Sequence, residues 1–160
     1  MSQNHNYMAV LLDTLEKKKD ALGCILKITR KQEELTHPDA YQSDVMERLL
    51  DEKDVQIARV NTLDEGFEMT YDRIRAEVKD NPQIYREEIV RLQELIRQCT
   101  EIGNAIMVLE ERNRNSFGIL FSQSRRDYYV SKTKANVAQH YYRTMSNTKV
   151  MDSYFVDKKQ

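Results

Sequence analysis

The stretch SDVMERLLDEKDVQIARVNTLDEGFEMTYDRIRAEVK, residues 43–79, decides the fold. Met46, Lys53, Val60, Phe67 and Ile74 fall on one heptad position, and Leu50, Ile57, Asp64, Tyr71 and Val78 on the other. Eight of these ten are apolar, the pattern of a helix that keeps a continuous seam against a neighbour. Lys53 and Asp64 interrupt the seam. Polar residues at such positions either lie buried and set the register or, more often, snorkel at the seam's edge with the charged head in water.

The flanking segments repeat the theme. From Tyr7 to Leu35, the residues Met8, Leu11, Leu15, Leu22, Ile25 and Leu26 recur at three- and four-residue steps, with Glu16, Lys17, Lys19 and Asp20 expected outside. Thr36-His37-Pro38 should stop this helix, because proline disfavours helical geometry in the residue before it. Asp39 to Ser43 then fits a short helix–helix connection. Beyond the central stretch, Asn81 is expected as an N-cap and Pro82 as a first-turn residue of a third helix. In that helix Tyr85, Leu92, Cys99, Ile106 and Leu120 keep heptad spacing, accompanied by Leu95, Ile102 and Leu109. Gly103 and Ala105 are small enough to let a neighbour approach closely.

Three apolar stripes joined by short turns bury one another. The expected fold is all-α, an antiparallel bundle of three long helices with coiled-coil-like seams at about 5–36, 42–80 and 82–118. Residues 1–120 would form an acidic body, and residues 121–160 a C-terminal amphipathic helix, loosely packed, or a mobile tail. Periodicity allows the third helix to run past Gly118 or to break there. It is equally compatible with a monomer and with a homodimer joined through one stripe.

Composition bounds the function. With 160 residues the chain has room for one domain and an appendage. Four glycines, two prolines and a 32% charged fraction suit solvent-washed helices rather than a compact α/β enzyme. Cys24 and Cys99 are far apart and lack metal-ligand spacing, so they read as reduced packing thiols. His5, His37 and His140 are scattered, and the carboxylate pairs Glu33-Glu34, Glu87-Glu88 and Glu110-Glu111 point in different directions on a helix. No phosphate-binding, dinucleotide-binding or nucleophile-elbow glycine motif is present. No catalytic residue, cofactor site or metal site is expected, and the chain is not read as an enzyme. The N-terminal residues lack a signal-peptide pattern and no apolar run is long enough to cross a bilayer, so a cytoplasmic location without membrane insertion is expected.

Charge and pattern both change near residue 120. Residues 1–120 hold 17 Lys and Arg against 23 Asp and Glu, a balance of −6, whereas residues 121–160 hold 8 against 3, a balance of +5. The basic part carries Tyr128, Tyr129, Tyr141, Tyr142, Tyr154 and Phe155 but too few aliphatics for a core of its own. Val130, Val137, Tyr141, Tyr142 and Met145 form a stripe for a protein partner, with Arg125, Arg126 and Lys134 steering an acidic one. The same stripe also suits a fourth helix packed on the bundle. Tyr154 and Phe155 are a further docking candidate. Nucleic acid is disfavoured as a partner, because the acidic body would repel a polyanion.

Several segments resemble the FlgN-like flagellar type III export chaperone family: Leu11-Leu12-Asp13-Thr14-Leu15-Glu16-Lys17-Lys18, Leu63-Asp64-Glu65-Gly66-Phe67 and Leu109-Glu110-Glu111-Arg112-Asn113. So does the ending, in which Ala138-Gln139-His140-Tyr141-Tyr142 precedes Met151-Asp152-Ser153-Tyr154-Phe155-Val156-Asp157-Lys158-Lys159. The resemblance implies a cytosolic chaperone that binds the C-terminal helices of hook–filament junction (hook-associated) proteins. It would prevent their premature assembly and deliver them to the flagellar export apparatus. From the pattern alone, Tyr154 and Phe155 are either a tag for docking at the export gate or incidental aromatics of a disordered end. The rival reading is a cytosolic coiled-coil scaffold or adaptor with no export role.

Overall fold

The computed structural model describes residues 2–122. These form three long helices, α1 (Ser2–Glu34), α2 (Ser43–Asp80) and α3 (Arg86–Leu120), with no strand among the described residues. At about 1.5 Å per residue each is some 50–57 Å long. None of them is long and apolar enough to cross a membrane. The order is up-down-up, since Met8 and Leu11 pack with Tyr71 and Val78 near the end of α2 and with Ile89 and Leu92 near the start of α3. At the other end, Ile28 and Leu35 meet Met46, Leu49, Phe117 and Phe121.

The central heptad seam is the core of α2. Met46, Lys53, Ile57, Val60, Phe67, Tyr71, Ile74 and Val78 are all buried, joined by Leu49 beside the half-buried Leu50. Lys53 does not snorkel: it is fully buried, and its amine reaches Gln32 of α1 and Glu110 of α3. Asp64 is drawn in by Lys18, whose amine lies 2.7 Å from its carboxylate with both side chains nearly sealed from water. On α1 the expected outward charges are only partly outside. Lys17 and Asp20 are exposed, while Glu16 and Lys19 are half-buried.

The helix ends differ from the sequence reading in one informative way. Asn81 is not the N-cap of α3. It closes α2, its backbone N–H and side-chain amide both donating to the carbonyl of Glu77 at 3.0 and 3.2 Å. Pro82 cannot continue α2, and residues 82–85 make a turn before α3 starts at Arg86. Glu87 and Glu88 in its first turn complement the positive end of the helix dipole.

α3 runs through Gly118 to Leu120, and Phe121 caps it by donating its N–H to Phe117 at 2.9 Å. A single glycine weakens a helix by about 1 kcal/mol but does not end it when the neighbours hold their bonds. Near this end the buried face is carried by Phe117 and Phe121, with Leu120 only half-buried. A 3.6-residue helix drifts about 20° per heptad from a strict repeat, which after five heptads moves the core-facing position off residue 120. Gly103 is buried and Ala105 exposed.

Phe67 sits mid-seam, 3% exposed, stacked on Tyr71 with ring centroids 6.2 Å apart. Phe67→Ala should lower stability by about 3–5 kcal/mol, read as a shifted urea midpoint with the helical circular dichroism retained in water. An unchanged midpoint would place this seam in contact with solvent.

Candidate protein-binding surface

The residues expected to hold a partner are Val130, Val137, Tyr141, Tyr142, Met145, Arg125, Arg126 and Lys134. They lie outside the described residues, as do Tyr154 and Phe155. The structure places the point from which that segment departs. Ser122 follows the end of α3, at the end of the bundle where α1 turns into α2. There Tyr41, from the connection, packs edge-on against Phe121 at 4.8 Å and Phe117 at 6.3 Å between ring centroids. This aromatic cap holds the end of α3 against the connection between α1 and α2.

The described body offers surface rather than an enclosed pocket. Two grooves flank α1. One, about 640 Å³, runs between α1 and α3, with Leu26, Arg30, Ala105, Val108, Leu109 and Arg112 among its lining. The other, about 400 Å³, lies between α1 and α2 and includes Cys24, Lys27, Ile28, Lys31, Val55 and Gln56. Both are open and mix apolar floors with charged rims, the shape into which an amphipathic helix can lay its apolar face. Val55 and Val108 are each more than half exposed there.

Beneath this surface lie two buried polar layers that the seam pattern only hinted at. In the first, Lys53 joins Gln32 and Glu110, and Thr29 and Asn113 complete the layer. Thr29 donates to the Ile25 carbonyl at 2.7 Å, and the Asn113 amide donates to the Thr29 carbonyl at 3.1 Å. Burial pulls the Lys53 amine below the ordinary lysine range, and the Glu110 carboxylate opposes that shift. In the second layer burial pushes the Asp64 carboxyl up, while Lys18 counters it. Burial also pushes the nearby Cys99 thiol from its ordinary 9.0 up to about 11, so this thiol stays protonated and unreactive near neutral pH. Lys18 gave no signal in the sequence, because it stands in a run of charges, Lys17-Lys18-Lys19, where only the middle one turns inward. Glu110 was similarly masked by its neighbour Glu111.

These layers join helix to helix and do not converge on open space. No group of His, Cys, Asp or Glu suited to a metal ion occurs among the described residues. Elsewhere the surface is laced with exposed pairs, such as Arg91–Glu16 at 2.9 Å between α3 and α1, each contributing little by itself. Set against known protein families, curated proteins and solved structures, the chain matches none.

The Lys53 layer makes two predictions. Glu110→Ala leaves a buried cation without its counter-charge and should cost about 3–5 kcal/mol, whereas Lys53→Met with Glu110→Gln should recover most of that loss. Urea titration of the three proteins checks this; equal losses in both variants would mean that the pair is not coupled.

The second is a pH dependence. A lowered Lys53 value makes stability rise as pH climbs towards the ordinary lysine range, because the unfolded chain then binds more protons. The raised Cys99 value acts oppositely, with its contribution complete below 9.0 and lost as pH passes about 11. The double variant should therefore lose stability more steeply than the native protein between those pH values. Parallel slopes would show that Lys53 does not titrate abnormally.

Proposed function

We propose that this protein is a flagellar type III export chaperone of the FlgN-like kind, and not an enzyme. It binds the C-terminal helices of hook–filament junction proteins in the cytoplasm, keeps them from assembling early and hands them to the export apparatus. The observation that carries this reading is the pairing of two unlike parts in one chain. The described residues form an acidic three-helix body, and a basic, tyrosine-rich segment follows in the sequence whose ending resembles that of the family.

Physical chemistry supports the assignment. An amphipathic helix that awaits assembly exposes an apolar stripe, which aggregates unless covered. A second amphipathic stripe, Val130, Val137, Tyr141, Tyr142 and Met145, covers it in the helix-in-groove manner, and Arg125, Arg126 and Lys134 supply steering and a salt-sensitive grip. Cargo must be released at the membrane, so a contact built from a few aromatic anchors and screened charges is better suited than a large dry interface. Tyr154 and Phe155 would serve as a short aromatic tag that docks at the export gate.

Titration calorimetry against the C-terminal helix of a junction protein tests the reading. Tyr141→Ala with Tyr142→Ala should weaken binding by about 1–3 kcal/mol, and removing residues from Ser122 onward should abolish it while the body stays helical. Full affinity in the shortened protein would move the site to the grooves beside α1. No binding by the intact chain would leave the scaffold reading in its place.

A further inference from the structure

The outer face of α2 carries apolar residues that neither of the other described helices covers. Val55 and Met69 are 65% and 64% exposed, and Thr62, also exposed, stands midway between them at seven-residue spacing. Positions at that spacing share one side of a helix, and these three span about 21 Å. The side they share borders α1. Val55 lines the α1–α2 groove with Cys24, Lys27 and Lys31, and further along α2 the Arg73 guanidinium lies over the Tyr7 ring at 6.0 Å. Because α1 and α2 are antiparallel, these two contacts bring Val10, 48% exposed on α1, to about the height of Met69.

Charge sets this face apart from the rest of the body. Over residues 1–120 the balance is −6, yet residues 21–32 of α1 hold Lys27, Arg30 and Lys31 and no carboxylate. Elsewhere exposed cations such as Lys17 and Arg91 are held by carboxylates, Asp13 and Glu16, each at 2.9 Å. Lys27 and Lys31 are exposed and form no ion pair among the described residues. Neither does Arg59, which lies seven residues from Glu52 in the groove and fourteen from Arg73, and so on the same side of α2. Against these cations stand Asp20, on the row of Lys27, and Glu52, which is 4.0 Å from Arg48. Cations gathered along a groove with low-dielectric walls focus a positive potential there, on a body that is otherwise negative.

We propose that this face of α1 and α2 docks an amphipathic helix of another protein, one whose apolar stripe is edged by carboxylates. Val10, Val55 and Met69 meet the stripe, and Lys27, Lys31 and Arg59 meet the acidic edge. The seven-residue repeat on α2 matches the interval at which a helix laid alongside returns to the same side. Residues 123–160 are not the occupant: their 8 Lys and Arg against 3 Asp and Glu give them the same sign as the rim. The surface is separate from the stripe expected beyond residue 122. It does not rest on the chaperone reading, and its test uses no junction protein.

Two synthetic peptides of about 21 residues are the probes, each with leucines at three- and four-residue steps, flanked by glutamates in one and by lysines in the other. Titrated into the isotope-enriched intact chain, the glutamate peptide should move the amide signals of residues 24–31 and 55–69. It should also slow alkylation of the exposed Cys24, with the buried Cys99 unreacted throughout. The lysine peptide should bind about tenfold more weakly or worse. Lys27→Glu with Lys31→Glu should reverse that order, and Met69→Asp should weaken the glutamate peptide, all three positions being exposed and the helical circular dichroism unchanged. Equal binding of the two peptides, or an order that survives the charge reversal, would overturn the proposal. So would signal changes confined to residues beyond 122 or to the α1–α3 groove. Self-association of the chain that protects Cys24 would assign the face to a second copy instead. Binding to phosphatidylglycerol vesicles that the same charge reversal abolishes would assign it to an anionic lipid surface, and either result sinks the helix-docking reading.

Discussion

Lys53 ties the three helices of the described body together. Its backbone belongs to α2, and its amine is shared between Gln32 of α1 and Glu110 of α3, with no exposure to water. A buried amine is tolerated only when partners neutralise and hydrogen-bond it, so each helix must present its own partner at the same height. Leucine seams alone tolerate sliding by a heptad; a buried cation with one acceptor on each neighbour does not. The Lys18–Asp64 contact repeats the device lower in the bundle, between α1 and α2. Together they set the relative heights of long helices whose apolar stripes are otherwise repetitive.

The architecture was largely legible because its signal is periodic. The seam from Met46 to Val78, the stop before Pro38 and the break at Pro82 each follow from spacing and from the chemistry of proline. The polar interruptions were visible, but their burial was not. Whether Lys53 snorkels or turns inward depends on Glu110, far away in sequence, and no local pattern announces that partner. Asn81 was misplaced for a related reason: the same side chain suits the end of one helix and the start of the next, and the bond to Glu77 decides. Leu120 lost its place to Phe117 and Phe121 because drift accumulates over a long helix, which a fixed heptad count ignores.

The candidate site was legible only as composition. Cations, tyrosines and a thin aliphatic stripe mark residues 121–160 as a surface for something, and composition does not say for what. The stripe expected to meet a partner lies beyond residue 122. Ile89 and Ile96 had no role in the expected seams, since they fall outside the chosen heptad positions. They are buried in the cluster that α3 shares with α1 and α2, because the core-facing arc of a helix in a bundle is wider than a two-position heptad count allows.

Charge distribution connects the body to the segment that follows it. A balance of −6 over residues 1–120 and of +5 over residues 121–160 nearly cancels within one chain, leaving −1 overall. Under the proposed function the basic part is a cation-rich surface for an acidic helix. Salt would weaken that contact by screening its charges. The apolar area a partner offers to the tyrosines and aliphatics of the same segment is a quantity that screening leaves untouched, so it is this area that sets the affinity remaining at high ionic strength.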